Sequence, residues 1–117
     1  MISDKMVKAI NDQIRFEFLS GYLYLSMAAW FENENLFGMA KWMYAQAGEE
    51  QEHGMKFFKY LTEVGAKVEL EAIDKPETEF ESALEIFEKS LAHEKIVTGR
   101  INKMYELALE EKDYPTQ

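Results

Sequence analysis

At 117 residues the chain suits a single domain, and a hydrophobic fraction of 47% supplies an ordinary core without a staple. Its 22 acidic residues outnumber 13 basic ones, and the resulting charge of −9 repels nucleic acid and anionic membranes while drawing in cations. The absence of cysteine excludes a disulfide scaffold, a thiolate zinc site and a cysteine nucleophile, and fits a reducing compartment.

The opening Met1-Ile2-Ser3-Asp4 leads into a helical pattern with no basic segment followed by an apolar one, so no secretion signal is expected and a cytoplasmic address follows. Ser3 is a good helix cap with Asp4 in the first turn, and no breaker appears before Asn33-Glu34-Asn35, which predicts a first helix over about 4–32. Its stripe at steps of three and four reads Val7, Ile10, Ile14, Glu17, Gly21, Tyr24, Ala28, Phe31. The most apolar stretch, Gly21 to Phe31, falls well short of the roughly 20 residues a membrane span needs.

A second helix is predicted over 37–64, stopped by Gly65, with the stripe Met39, Met43, Gln46, Glu50, His53, Phe57, Tyr60, Val64. Residues 65–81 form a long connection: Val68, Leu70 and Ala72 alternate with Glu69 and Glu71 like a short strand, and Pro76 bars a helix. The third helix is predicted over 82–112, with the stripe Leu84, Phe87, Leu91, Glu94, Thr98, Ile101, Tyr105, Ala108. The expected class is therefore all-α, a single domain over 1–117 built as a helical bundle of three long helices with a long crossover loop between the second and third.

Each stripe is apolar at its ends and carries a carboxylate near its middle: Glu17, Glu50 and Glu94. An ionised carboxylate in a dry core costs several kcal/mol or more, and no lysine or arginine lies on these stripes to neutralise it. Protonation or a metal cation remains. If helices one and two form a hairpin about residues 34–35, Glu17 lies about 17 residues before the turn and Glu50 and His53 about 15 and 18 beyond it, so all three meet within about 3 Å of one height. Glu94 is close to mid-helix, and its height does not decide between a parallel and an antiparallel third helix. The loop, at about 3.3 Å per residue, is long enough for it to start at either end of the bundle.

Glu50-x-x-His53 places an oxygen and an imidazole nitrogen on one helix face. A lone histidine on an apolar stripe is more often a hydrogen-bonded core residue, and such a pair is common by chance in acidic helices. Joined to Glu17 and Glu94 at matching heights, it fits the ligand logic of di-iron helical bundles, with donors suited to iron or manganese. Tyr24 lies close to this level, Gln46 is a candidate supporting residue, and Glu49 and Glu52 flank the pair on a face expected to be solvated. His93, beside Glu94, is expected to point elsewhere, and the seven methionines read as core.

Over its whole length the sequence resembles the first three helices of prokaryotic non-haem ferritins. The resemblance is carried by NDQIRFEFLSGYLYLSMAAWFE, FGMAKWMYAQAGEEQEHGMKFFKYL, GAKVELEAIDKP, HEKIVTGRI and the closing EEKDYPTQ. It implies a ferroxidase and iron store in which Glu17, Glu50, His53 and Glu94 bind two irons, Glu50 bridges them, Tyr24 stands beside them and Glu49 belongs to a third iron position. Iron and dioxygen are the implied partners, and the family assembles a closed homo-oligomeric shell of about 24 subunits. In the family a fourth helix follows the DYPT turn and adds a further glutamine or glutamate. The sequence ends at that turn, so the expectation is a truncated bundle with a bare apolar face and a second iron short of ligands.

Three rivals carry specific tests. A rubrerythrin-like peroxidase wants Glu-x-x-His on two helices, whereas Ser90 stands three residues before His93. A non-enzymatic association module predicts an empty core. A DNA-protecting mini-ferritin is opposed by the acidic charge and by ligands lying within one subunit.

Overall fold

Ser3 and Ser82 cap their helices, each hydroxyl accepting a backbone N–H three residues on, and this sets the starts of α1 (Asp4–Asn33) and α3 (Ala83–Glu110), while α2 spans Phe37–Glu63. The computed structural model describes every residue except Met1, Tyr114 and Gln117, so the expected DYPT turn lies partly outside the described residues. All three helices end alike, with an N–H bonding back five residues: Leu36 to Phe31, Ala66 to Leu61 and Asp113 to Ala108. The left-handed residue this requires is Asn35 after α1, Gly65 after α2 and Lys112 after α3. At 1.5 Å rise per residue, the 30 residues of α1 account for most of the 51 Å long axis.

α1 and α2 form an antiparallel hairpin whose seam repeats every seven residues. α1 buries Met6, Gln13, Ser20, Met27 and, one step round, Ile10, Glu17, Tyr24, Phe31; α2 answers with Ala40, Ala47, Gly54, Leu61 and with Met43 and Glu50. Small residues permit the close approach: a Cβ on Gly21 would lie 3.2 Å from the Ala47 carbonyl oxygen. The α2 face therefore departs from the expected stripe, whose large members Met39 and Val64 are exposed. Hydrophobicity marks large side chains, but the seam is set by what lets two backbones meet.

The crossover runs along α1. Asn11 clamps its start, donating to the Lys67 carbonyl at 3.0 Å and accepting from Glu69 N–H at 2.9 Å, and Ser26 donates to the Glu77 carbonyl near its end at 2.6 Å. Residues 66–80 have no strand partner among the described residues, so the expected strand-like alternation is only extended chain, with Leu70 exposed. The loop carries the chain along α1 to the end of the bundle where α1 turns into α2. α3 therefore runs antiparallel to α1, as the pairs Ser90–Tyr24, His93–Ser20, Arg100–Gln13 and Ser3–Glu111 record, and parallel to α2.

α3 packs principally on α1, through Ile86, Ser90, Val97 and Ala108. Its expected stripe is largely uncovered: Leu84, Leu91 and Tyr105 are exposed, with Leu84 reaching 68%. The period identified an apolar face correctly, but among the described residues only its edge is covered, by the contacts of Phe87 with Phe31 and Trp42 and by the burial of Ala108. The core itself falls into two apolar clusters, one around Tyr24, Met27, Phe31 and Met43, the other around Met6, Ile10, Ile14 and Leu61. Between them lies a polar layer of Gln13, Glu17, Ser20 and Glu50.

Candidate metal centre

Glu17 projects from α1 into this layer with no exposed surface, and Glu50 from α2 is 3% exposed. One oxygen of each, Oε2, is buried without a hydrogen-bond partner. Buried polar atoms are almost always satisfied, so two orphaned carboxylate oxygens in one layer call for a proton or a cation. His53, one turn beyond Glu50, sets Nδ1 3.8 Å from Glu17 Oε2 and 3.7 Å from Glu50 Oε2. One donor atom from each of the three lies within 4.8 Å of the others, a spacing that one divalent ion can bridge. The donor set fits iron: hard oxygens and an imidazole, with no thiolate. Among the described residues His53 is the only basic side chain at ion-pair distance from either glutamate, and its half-exposed ring opens the site to solvent.

Burial, contact with the Glu17 carboxyl, and the charges of Glu17, Glu94 and Glu49 push the Glu50 carboxyl up from 4.5 to about 9. Without a cation Glu50 holds its proton at neutral pH, and a bound cation would displace it.

The α3 side of the layer is arranged differently. Glu94 stands outside the group of three and accepts a hydrogen bond from the Tyr24 hydroxyl, which Ser90 also approaches at 3.4 Å. Burial first, then Glu94, raises the phenol above its ordinary range, so Tyr24 stays protonated. Glu49 and Glu52 are exposed, and Gln46 is half-buried.

Contrary to expectation, His93 faces α1. Its ring stacks on Phe16 at a centroid distance of 5.2 Å and its Nε2 lies 2.6 Å from Ser20 Oγ. Because Ser20 donates to the Phe16 carbonyl, the hydroxyl accepts from His93 Nε2–H, and burial holds the imidazole below its ordinary range. The expectation failed because α3 presents the face one step round from its apolar stripe.

Gln13 was not singled out from the sequence. It is 2% exposed and donates from Nε2 to Glu17 Oε1 at 3.0 Å. The available signal was its position four residues before Glu17 on a buried helix face.

The ferritin-like domain family matches residues 7–117 of the chain. The chain belongs to the ferritin family. A probable bacterial non-heme ferritin-like protein of Haemophilus influenzae is 41% identical over 114 residues, covering 97% of this chain and 69% of the relative. A bacterial non-heme ferritin of Campylobacter jejuni is 40% identical over 116 residues, covering 99% of this chain and 70% of the relative. Among solved structures, an open pore ferritin from the hyperthermophilic archaeon Archaeoglobus fulgidus superposes with a TM-score of 0.96 at 46% identity, over 98% of this chain and 70% of that one. The ferritin-like fold is thus established by sequence and by shape, and it accounts for the hairpin, the crossover and the polar layer. Among the described residues of this ferritin chain, no helix is long and apolar enough to cross a membrane.

Proposed function

We propose that this ferritin chain stores iron and is a ferroxidase, binding ferrous ions as substrate in the polar layer and oxidising them with dioxygen. One observation carries the reading: two buried carboxylate oxygens from different helices, both without hydrogen-bond partners among the described residues, converge beside an imidazole, and no other basic side chain among those residues is at ion-pair distance. Glu17, Glu50 and His53 hold the first ion. Glu50 bridges to a second ion bound by Glu94, and Glu49 extends the path outward as part of a third position.

The carboxylates compensate the ferrous charge and favour the more highly charged ferric product, while electrons pass from iron to dioxygen. Tyr24 stands beside the pair with its proton held towards Glu94. The relatives' names support iron storage, and the reading includes assembly into a homo-oligomeric shell in the cytoplasm, where ferric product collects.

Replacing Glu50 or His53 with alanine is expected to slow ferrous oxidation, followed by the ferric absorbance, by two orders of magnitude or more while helical circular dichroism is kept. Wild-type rates in both variants would refute the assignment.

A further inference from the structure

Gln13 is buried in the polar layer and contacts a carboxyl group and a guanidinium at once. Its amide oxygen accepts from Arg100 Nε on α3 at 3.2 Å, and its amide nitrogen donates to Glu17 Oε1 at 3.0 Å. Arg100 is fixed on its remaining sides by the Asp12 carboxylate and by the Phe16 ring, whose centroid lies 4.2 Å from the guanidinium carbon.

An amide presents an acceptor at one end and donors at the other, and either end fits the same space. Arginine has only donors, so Arg100 obliges Gln13 to turn its oxygen towards α3 and therefore its NH2 towards Glu17. The flipped amide would set two acceptors against each other at Glu17. The guanidinium also polarises the amide and strengthens the second bond.

We propose that Gln13 and Arg100 form a positioning pair that commits Glu17 to a single ion-facing oxygen, Oε2. Oε1 is engaged by Gln13, and Oε2 is the atom left buried without a partner, 3.8 Å from His53 Nδ1. Glu17 therefore binds its ion through one oxygen and is held from swinging to a two-oxygen grip. The second oxygen's capacity is spent inside the protein, which keeps coordination positions open for a second ion and for dioxygen. This rests on the cation reading of the site.

The test is Co2+ titration followed by visible absorption, with circular dichroism as the check on folding. In Gln13→Leu, affinity should fall about tenfold, the usual scale for losing a group that orients a ligand. The visible band should also weaken, because a Glu17 free to chelate raises the coordination number. Arg100→Met, at a position whose side chain is 29% exposed, should shift the band the same way, and Arg100→Lys, which keeps only donors but loses the stacked guanidinium, should recover part of the shift. Wild-type affinity and band in Gln13→Leu and in Arg100→Met overturn the positioning pair while leaving the metal site standing. Weaker affinity with an unchanged band also overturns it, since that is what simple loosening of the core would give. If the wild-type protein binds no Co2+, the metal reading fails and the pair fails with it.

Discussion

Glu50 is one residue through which pH acts on the stability of this ferritin chain. Its carboxyl is raised in the folded state above its ordinary value of 4.5, so the metal-free fold binds a proton that the unfolded chain releases. That contribution is complete at pH below about 4.5 and is lost as pH rises towards about 9, since the folded site must then carry a bare buried charge. The melting temperature of metal-free protein should fall across this window relative to Glu50→Gln, which has no proton to lose. Divalent metal should remove the fall in the wild type and stabilise it above Glu50→Gln, which lacks one of the ligands. Asp12 and His93, whose lowered values act in the opposite direction, are common to both proteins and drop out of the comparison. A constant gap between wild type and variant at every pH would rule this account out. Glu17, Glu50 and His53 were legible in the sequence because a carboxylate on an apolar stripe breaks the pattern. Gln13 was not, because an uncharged polar residue beside a stripe is ordinary in sequence and becomes informative only when its partners are known.

At the scale of the helices, glycine has opposite meanings at different positions. A Cβ on Gly54 would lie 2.5 Å from Phe18 Cε1 on the facing helix, so Gly54→Ala must displace the ring and should cost about 1–3 kcal/mol in denaturant unfolding. Gly99, in the middle of α3, has nothing within 4 Å of such a Cβ, and Gly99→Ala should stabilise by about 0.5–1 kcal/mol through reduced backbone freedom in the unfolded chain. Equal effects of the two substitutions would show that the α1–α2 approach is looser than described. This close approach also sets the separation of the site groups, because Gly54 follows His53 directly. Helix ends were readable from Ser3, Ser82 and Gly65. The small-residue seam of α2 was not, since a periodicity count weighs leucine above glycine.

On the scale of the whole molecule, the dominant feature is the uncovered face of α3. Leu84, Leu91, Tyr105 and Leu109 lie on one face of the helix and are each about half or more exposed, and an apolar face of this kind on a single chain drives association. Sedimentation velocity at micromolar concentration should show species larger than the 13.7 kDa chain, and Leu84→Glu combined with Leu91→Glu should reduce them. A purely monomeric wild type would mean that the face is tolerated in water. The acidic charge of −9 opposes association at long range, so added salt should enlarge the complexes.

The all-helical class, the crossover and the carboxylate level follow from the sequence by itself, because helical period, capping residues and the cost of a buried charge are local or additive properties of the chain. Tertiary structure alone decided that α3 runs antiparallel to α1, that His93 turns inward, and that Glu94 meets Tyr24 while Gln13 links Arg100 to Glu17. The direction of α3 follows from the crossover docking along α1, from Asn11 to Ser26, and the side-chain placements depend on how far a helix is rotated about its own axis. That rotation is set by which side chains interlock across a seam, and the order of residues along one helix does not specify it.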